Sequence, residues 1–154
     1  MAKFFENDLV NVKNINKYNN NHDYQVSTHY RLVKINDDTM EVNVENCRNN
    51  VIDRLVIPKE DVEELKYYNH CPWTDYYPYE LIERKSKCVA VVRAMDYKRI
   101  DNNGWSDEQQ YEYKSNPNNE IIIIRKSNKN FSWKCGTMNF YPSTNPKAYR
   151  DPNF

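Results

Sequence analysis

Cysteine and histidine are the side chains best suited to nucleophilic or metal chemistry, and here they are few and scattered. None of the four cysteines, Cys47, Cys71, Cys88 and Cys135, is spaced from another as in the Cys-x-x-Cys half of a zinc site. His70 and Cys71 are adjacent, but neighbours on a strand point to opposite faces, so they make a poor base and nucleophile pair. We therefore expect reduced thiols that behave as small hydrophobes, and no metal.

Other catalytic patterns are missing as well. Two isolated glycines cannot build a Gly-rich phosphate loop, and neither a Gly-x-Ser-x-Gly elbow nor a His-Glu-x-x-His motif occurs. Asp37 with Asp38, and Asp107 with Glu108, are paired carboxylates in predicted turns, where acids are more often solvated turn formers than an acid and base pair. The sequence favours a protein that is not an enzyme and uses no cofactor.

Binding chemistry is better represented. The chain has 13 Tyr, 5 Phe and 3 Trp, and several lie beside Lys or Arg, as in the run of Lys66, Tyr67 and Tyr68. Aromatic rings next to cations can stack bases and hold phosphates. However, 22 basic and 22 acidic side chains give zero net charge, which excludes a generic polycation and leaves little attraction to a polyanion. Nucleic-acid binding is therefore an alternative rather than the first choice.

Composition indicates a folded β-protein. The 154 residues are 39% hydrophobic and 14% aromatic, which argues against disorder, and they allow one ordinary domain or two small ones. The chain is rich in Tyr, Ile, Val and Asn and poor in Ala, a balance that favours strands over helices. No run approaches the roughly 20 apolar residues of a membrane span. We expect no membrane contact and a cytoplasmic location.

Residues 1–66 resemble a small SH3-like barrel. A first strand at Leu9 to Val12 is followed by a polar loop and a long strand over residues 24–35. Alternating Met40, Val42 and Val44 mark a further strand, and residues 51–57 another. Pro58 then opens a single helical turn with acids in its first residues. This order of elements is that of SH3-like barrels, a fold that implies no particular function.

The second half is predicted to be an antiparallel β-meander. Residues 67–79 hold five Tyr and one Trp, so we interpret them as an aromatic connector packed against one or both halves, or as a binding platform. Residues 80–154 then form the β domain. Its four consecutive isoleucines, Ile121 to Ile124, cannot all lie on one face, which predicts a central strand covered on both sides. The Asn-rich stretches fall between strands and are predicted turns, at residues 19–21, 36, 49–50, 102–103, 116–119 and 128–130.

Residues 74–154 also resemble an uncharacterised family of short proteins from tailed phages, prophages and related mobile elements. The resemblance lies in Thr74-Asp75 with Pro78-Tyr79, in the run from Ile100 to Asp107, in Asn116-Pro117, and in the ending Tyr149-Arg150-Asp151-Pro152-Asn153-Phe154. The chain departs from the family at Lys85-Ser86-Lys87-Cys88, where Ser-Gly-Lys is usual, and at Trp105, where Met is common. The resemblance implies a phage or mobile-element origin and no particular reaction.

Together these features favour a non-enzymatic protein that acts through its surface in the host cytoplasm. Its partner would be a host protein, a small nucleotide or further copies of itself. The alternatives are a nucleic-acid-binding module and a structural or accessory protein of the virion. The candidate ligand-binding residues combine the family-like positions with side chains that can form directional or charge-assisted bonds. They are Thr74, Asp75, Tyr79, Arg93, Asp101 and Arg150.

Overall fold

The protein is all-β in the computed structural model, which describes residues 3–18 and 28–153. These residues form thirteen strands and two 3-10 helices, at Ile15–Lys17 and Lys59–Asp61. The chain divides into two compact units, Met1–Leu65 and Lys66–Phe154. No helix among the described residues is long and apolar enough to cross a membrane. The predicted all-β class is confirmed.

The first unit is one antiparallel sheet. Its strands are β1 (Leu9–Val12), β2 (His29–Ile35), β3 (Thr39–Glu45), β4 (Val51–Pro58) and β5 (Val62–Glu64). They lie in the order β4-β3-β2-β1-β5. The predicted alternation on β3 is confirmed, because Met40, Val42 and Val44 are all buried in the core. The strand predicted over residues 24–35 is observed from His29, while residues 24–27 lie outside the described residues.

A proline-led helical turn precedes the last strand of this unit, as predicted. Pro58 caps the 3-10 helix Lys59–Asp61, and β5 follows directly. The missing N–H of Pro and its fixed φ suit the first position of such a turn. β5 then pairs with β1, with Val12 opposite Val62. The likeness of this unit to SH3-like barrels stays a prediction.

A charged group is buried within the first sheet. The Arg31 Nε donates to both carboxylate oxygens of Glu45, at 3.0 and 3.1 Å, and the Arg31 Nη1 donates to the Asn7 carbonyl at 2.8 Å. The His29 Nε2 lies 2.9 Å from the same carboxylate. Arg31 and Glu45 are 9% and 5% exposed, so this ion pair is largely removed from solvent. A buried ion pair of this kind stabilises the fold only while both of its charged side chains are present.

The second unit is built on a closed barrel of six antiparallel strands. They are β6 (Tyr67–His70), β7 (Tyr79–Ser86), β8 (Val89–Ala94), β11 (Ile121–Lys126), β12 (Trp133–Cys135) and β13 (Met138–Ser143). The order around the barrel is β11-β12-β13-β6-β7-β8, and β11 pairs with β8 to close it. The two remaining strands, β9 (Asp96–Arg99) and β10 (Tyr111–Lys114), form a separate ribbon inserted between β8 and β11. Tyr68, Ala90, Val92, Ile124, Trp133 and Phe140 fill the barrel core.

Two sequence interpretations of this unit need revision. Residues 67–70, which we interpreted as part of the connector, supply β6, whose pairing with β13 completes the barrel. The expectation that all four isoleucines are covered is wrong, because Ile121 and Ile123 are 54% and 47% exposed while Ile124 is fully buried. A closed barrel is a single layer of sheet, so alternate side chains of β11 face outward. The antiparallel pairing that we predicted is observed throughout.

Asparagine supplies many of the turns, and the turn predicted at residues 49–50 is confirmed. Asn7, Asn14 and Asn49 adopt positive φ, the left-handed region that Asn tolerates better than most residues. The Asn46 Oδ1 accepts the N–H groups of Arg48 and Asn50, which closes the turn between β3 and β4. Residues 19–21, predicted as a further turn, lie outside the described residues.

Candidate functional site

A cavity of about 150 Å³ in the second unit is lined almost entirely by tyrosine. We call it the tyrosine cavity. The side chains around it are Tyr76, Tyr77, Tyr97, Tyr111, Tyr149 and Arg150. Several of the rings contact one another edge to face, with centroid distances of 6.4 Å for Tyr77 and Tyr97 and 6.0 Å for Tyr97 and Tyr111. Such packing holds the ring planes in fixed orientations around the space.

Three separate segments bring the tyrosines together. The β9–β10 ribbon places Tyr97 and Tyr111 on one face, because Tyr97 stands opposite Tyr113 and Tyr111 lies two residues before Tyr113 on the same strand. The segment before β7 contributes Tyr76 and Tyr77. The C-terminal segment joins it through a β-bridge, in which the Tyr76 and Tyr149 N–H groups each donate to the other's carbonyl at 2.8 and 3.1 Å.

The C-terminal segment is tied to both of its neighbours by side chains. The Tyr149 hydroxyl donates to Asp107 at 2.7 Å, and the Gln109 side chain bonds both the carbonyl and the N–H of Arg150, at 2.7 and 3.1 Å. On the other side, the Asp75 Oδ1 accepts the Asp151 N–H at 2.7 Å. These bonds fix the backbone that carries Arg150, so the cavity is formed before any ligand arrives.

Four phenols of the cavity are held in the neutral form. Burial raises the pKa of Tyr76, Tyr97 and Tyr111 above the ordinary value of 10.0. The pKa of Tyr149 is raised to about 12, chiefly by its hydrogen bond to Asp107. At neutral pH these rings are therefore uncharged surfaces for stacking.

Arg150 lines the cavity and Lys147 contacts one of its rings, and neither has an ion pair among the described residues. The Arg150 guanidinium lines the cavity from an exposed position. The Lys147 Nζ lies 3.9 Å from the centroid of the Tyr76 ring, a cation–π contact that leaves its N–H groups able to bind an anion. By contrast, the nearby carboxylates of Asp101, Asp107 and Asp151 already accept hydrogen bonds from the protein. The groups left with unused bonding capacity are thus mainly cationic.

A larger depression of about 390 Å³ lies on the β9–β10 ribbon but is less suited to a specific ligand. Asp96 stands opposite Lys114 and Glu112 opposite Lys98, so its charges compensate in cross-strand pairs. The Asp96 carboxylate also accepts hydrogen bonds from the side chains of Asn116 and Asn119, at 2.9 and 2.8 Å. The tyrosine cavity is the better candidate because five tyrosines and an arginine that has no ion pair among the described residues line the same small space.

Of the six candidate residues, one lines the cavity and two others bond the residue next to it in the chain. Arg150 lines the cavity, Asp75 bonds the Asp151 N–H, and the Thr74 side chain hydrogen-bonds the Asp151 carboxylate, which lowers the pKa of that carboxyl. The Asp75 Oδ2 has no hydrogen-bond partner among the described residues, which leaves it available as an acceptor.

The other three candidates have structural contacts instead. Tyr79 packs edge to face on Phe140 at a centroid distance of 5.1 Å, against the barrel core. The Arg93 Nη2 donates to Glu80 on the adjacent strand at 3.1 Å. Asp101 closes the end of β9 by accepting the Arg99 Nε at 2.8 Å and the Gln110 N–H at 2.7 Å. None of the three lines the tyrosine cavity.

Asp101 gives the site region a defined pH dependence. The Arg99 guanidinium and the Gln110 N–H hold the pKa of this carboxyl well below its usual range. A lowered native pKa stabilises the fold above the unfolded value of about 4, and the contribution is lost as the pH falls below it. At pH 7 we expect the wild type to unfold at a higher urea concentration than Asp101→Asn. The difference between the two unfolding midpoints should shrink as the pH falls towards about 2. An equal difference between the two midpoints at both pH values would contradict a lowered pKa of Asp101.

His70 and Cys71 each contact a tyrosine of the cavity but do not line it: the His70 and Tyr77 ring centroids lie 6.2 Å apart, and the Cys71 thiol hydrogen-bonds the Tyr76 side chain. All four cysteines are free, and no group of three potential metal-binding side chains occurs within residues 3–18 and 28–153. The His70 Nδ1 lies 2.9 Å from the Asn139 carbonyl, whereas the Cys71 thiol donates to the Trp73 carbonyl at 3.3 Å.

Comparison of the chain with family models, curated proteins and solved structures found no match. The function must therefore be argued from the chemistry of the tyrosine cavity. The resemblance of residues 74–154 to short phage proteins stays a prediction.

Proposed function

We propose that this chain is a small non-enzymatic binding protein of phage or mobile-element origin, and that its ligand is a small nucleotide held at the tyrosine cavity. The observation that supports this most directly is a cavity lined by five tyrosines and one arginine that has no ion pair among the described residues. Its site of action would be the cytoplasm of the host cell.

The two kinds of side chain match the two parts of a nucleotide. Neutral tyrosine rings stack on a base, and base–aromatic stacking is worth about 1–3 kcal/mol per base. The Arg150 guanidinium offers parallel N–H donors to a phosphate, a charge-assisted contact that is stronger than a neutral hydrogen bond. The free oxygen of Asp75 is an acceptor for a base amino or imino group, since its charge already acts on Tyr97, Tyr111 and Tyr149.

Electrostatics favour a small nucleotide over a long nucleic acid. Asp75, Asp101, Asp107 and Asp151 all lie on the segments around the cavity, and the chain has zero net charge. One or two phosphates can be met by Arg150 and Lys147, but a polyanion would bring further phosphates against these carboxylates. Binding of a host protein, self-assembly and a virion role remain alternatives without a comparable supporting feature.

Calorimetric titration with the nucleoside 5′-monophosphates tests the proposal. We expect one or more to bind, and Arg150→Ala to weaken that binding by about tenfold or more through the lost phosphate contact. Tyr97→Leu removes a ring that forms no hydrogen bond among the described residues, and should weaken it by about fivefold or more.

Arg125→Ala is the matched control, because Arg125 is an exposed arginine of the same unit that does not line the cavity. The affinity of the Arg125→Ala variant for a nucleoside monophosphate should stay within about twofold of that of the wild type. Absence of binding by every monophosphate at millimolar concentration would overturn the proposal. So would equal losses in Arg150→Ala and Arg125→Ala, when circular dichroism shows both variants folded.

A further inference from the structure

The tyrosine cavity is too small to enclose a whole nucleotide. Pockets for small molecules usually measure about 300–1,000 Å³ and bury most of the ligand. At about 150 Å³, this cavity has room for one ring, and the rest of a bound nucleotide must lie on the surface beside it. The surface around the opening therefore decides what else the ligand contains.

Trp105 is 77% exposed and lies two residues before Asp107, which accepts the hydroxyl of the cavity residue Tyr149. An exposed tryptophan is uncommon on a monomer and marks an interaction surface more often than other residue types. No ring or cation contact involves Trp105 among the described residues. Its face is therefore open for stacking.

The loop that carries Trp105 is held in shape by its own hydrogen bonds. The Asp101 Oδ1 accepts the Asn103 N–H at 2.9 Å, and the Asn103 side chain donates to the Glu108 carbonyl at 2.7 Å. Gly104 adopts φ +60°, which suits the bend before the tryptophan. A loop ordered in this way spends little conformational entropy on binding.

The same loop is bonded to residues that line the cavity. Asp107, two positions after Trp105, accepts the Tyr149 hydroxyl at 2.7 Å, and the Gln109 side chain bonds both backbone groups of Arg150. Hydrogen bonds therefore join the loop that carries Trp105 to two residues that line the cavity, Tyr149 and Arg150. Arg150 lies on the segment to which that loop is bonded.

We infer that the ligand is a dinucleotide. One base occupies the tyrosine cavity and the second stacks on Trp105, while Arg150 and Lys147 meet its two phosphates. The inference rests on the proposed function and deepens it, because it specifies two bases and two phosphates in place of one of each. The same dinucleotide unit could be free or could be the end of a single strand, and the experiment separates these sources.

The experiment compares 5′-phosphorylated dinucleotides, pApA and pGpG, with AMP and GMP by calorimetry. The better dinucleotide should bind about tenfold or more tightly than its monophosphate, as expected from one extra stacked base. Trp105→Ala should abolish this advantage and leave the monophosphate affinity unchanged. Lys147→Ala should weaken the dinucleotide more than the monophosphate.

Trp73→Ala is the matched control, since Trp73 is 76% exposed and lies in a loop that flanks the other side of the C-terminal segment. It should keep the dinucleotide advantage. An equal loss in Trp73→Ala and Trp105→Ala would overturn the assignment to Trp105. A single-stranded decamer should bind no more tightly than the dinucleotide, and markedly tighter binding would identify a strand rather than a free dinucleotide as the ligand.

The results also separate this inference from the proposed function. If the monophosphates bind through Arg150 but the dinucleotides gain nothing, the inference fails and the proposed function stands. If neither a monophosphate nor a dinucleotide binds, both fail.

Discussion

Replacing Glu45 by alanine is expected to lower the stability of residues 1–65 by about 3–5 kcal/mol, because the change removes the carboxylate that accepts both hydrogen bonds of the buried Arg31 Nε. The same substitution removes the partner of the His29 Nε2. The desolvation cost of the buried guanidinium, which the Glu45 carboxylate no longer offsets, makes the effect large.

Amide hydrogen exchange on β2 and β3 measures this loss where it occurs. Glu63→Ala is the matched control, because Glu63 lies on β5 of the same sheet with its side chain exposed and bonded to Asn11. We expect that control to change stability by less than about 1 kcal/mol.

A double variant sharpens the test. Arg31→Met with Glu45→Leu replaces both charges by apolar side chains of similar length, and should recover most of the stability lost in Glu45→Ala. A loss below about 1 kcal/mol in Glu45→Ala would show that water reaches this ion pair and that it is not structurally important.

Replacing Phe140 by alanine is expected to destabilise the barrel of the second unit by about 3–5 kcal/mol, through lost apolar burial and the cavity left behind. Phe140 is 2% exposed, and its ring lies 5.1 Å from that of Tyr79 and 5.3 Å from that of His70. These surroundings leave the site little freedom to collapse around a smaller side chain.

Urea unfolding followed by tryptophan fluorescence suits this measurement, because Trp133 is buried in the same core and all three tryptophans belong to the second unit. Tyr141→Ala is the control. Tyr141 is the next residue of β13, faces outward and is 53% exposed, so we expect a change below about 1 kcal/mol. Equal destabilisation by the two variants would contradict a β13 strand in which the Phe140 side chain points into the core and the Tyr141 side chain points outward.

Local sequence patterns were sufficient to predict several elements of the fold. The alternation of Met40, Val42 and Val44 predicted β3 and its buried face, since period-2 hydrophobicity depends only on the strand itself. Pro58 predicted the helical turn before β5 for a similarly local reason.

Features that depend on pairing between distant strands could not be predicted in this way. Tyr67–His70 closes the barrel by pairing with β13, which lies about 70 residues later, and nothing within those four residues specifies that partner. For the same reason, the sequence could not show which of Ile121 to Ile124 face outward.

The candidate site was partly accessible from the sequence. Family-like positions and hydrogen-bonding or charged side chains predict Thr74, Asp75 and Arg150, of which Arg150 lines the cavity while Thr74 and Asp75 bond the neighbouring Asp151. The five cavity tyrosines were not singled out, because they come from three segments and resemble the other tyrosines of a tyrosine-rich chain. The one available signal was the density of rings in residues 67–79, which we interpreted as a connector or a platform.

The left-handed asparagines also affect the unfolded chain. Asn7, Asn14 and Asn49 form bends at positive φ that many proteins make with glycine. Glycine loses more backbone freedom on folding than other residues, so asparagine at these bends leaves the denatured chain with fewer conformations to give up. Part of the stability of this fold thus comes from a stiffer denatured state, which no contact in the folded structure displays.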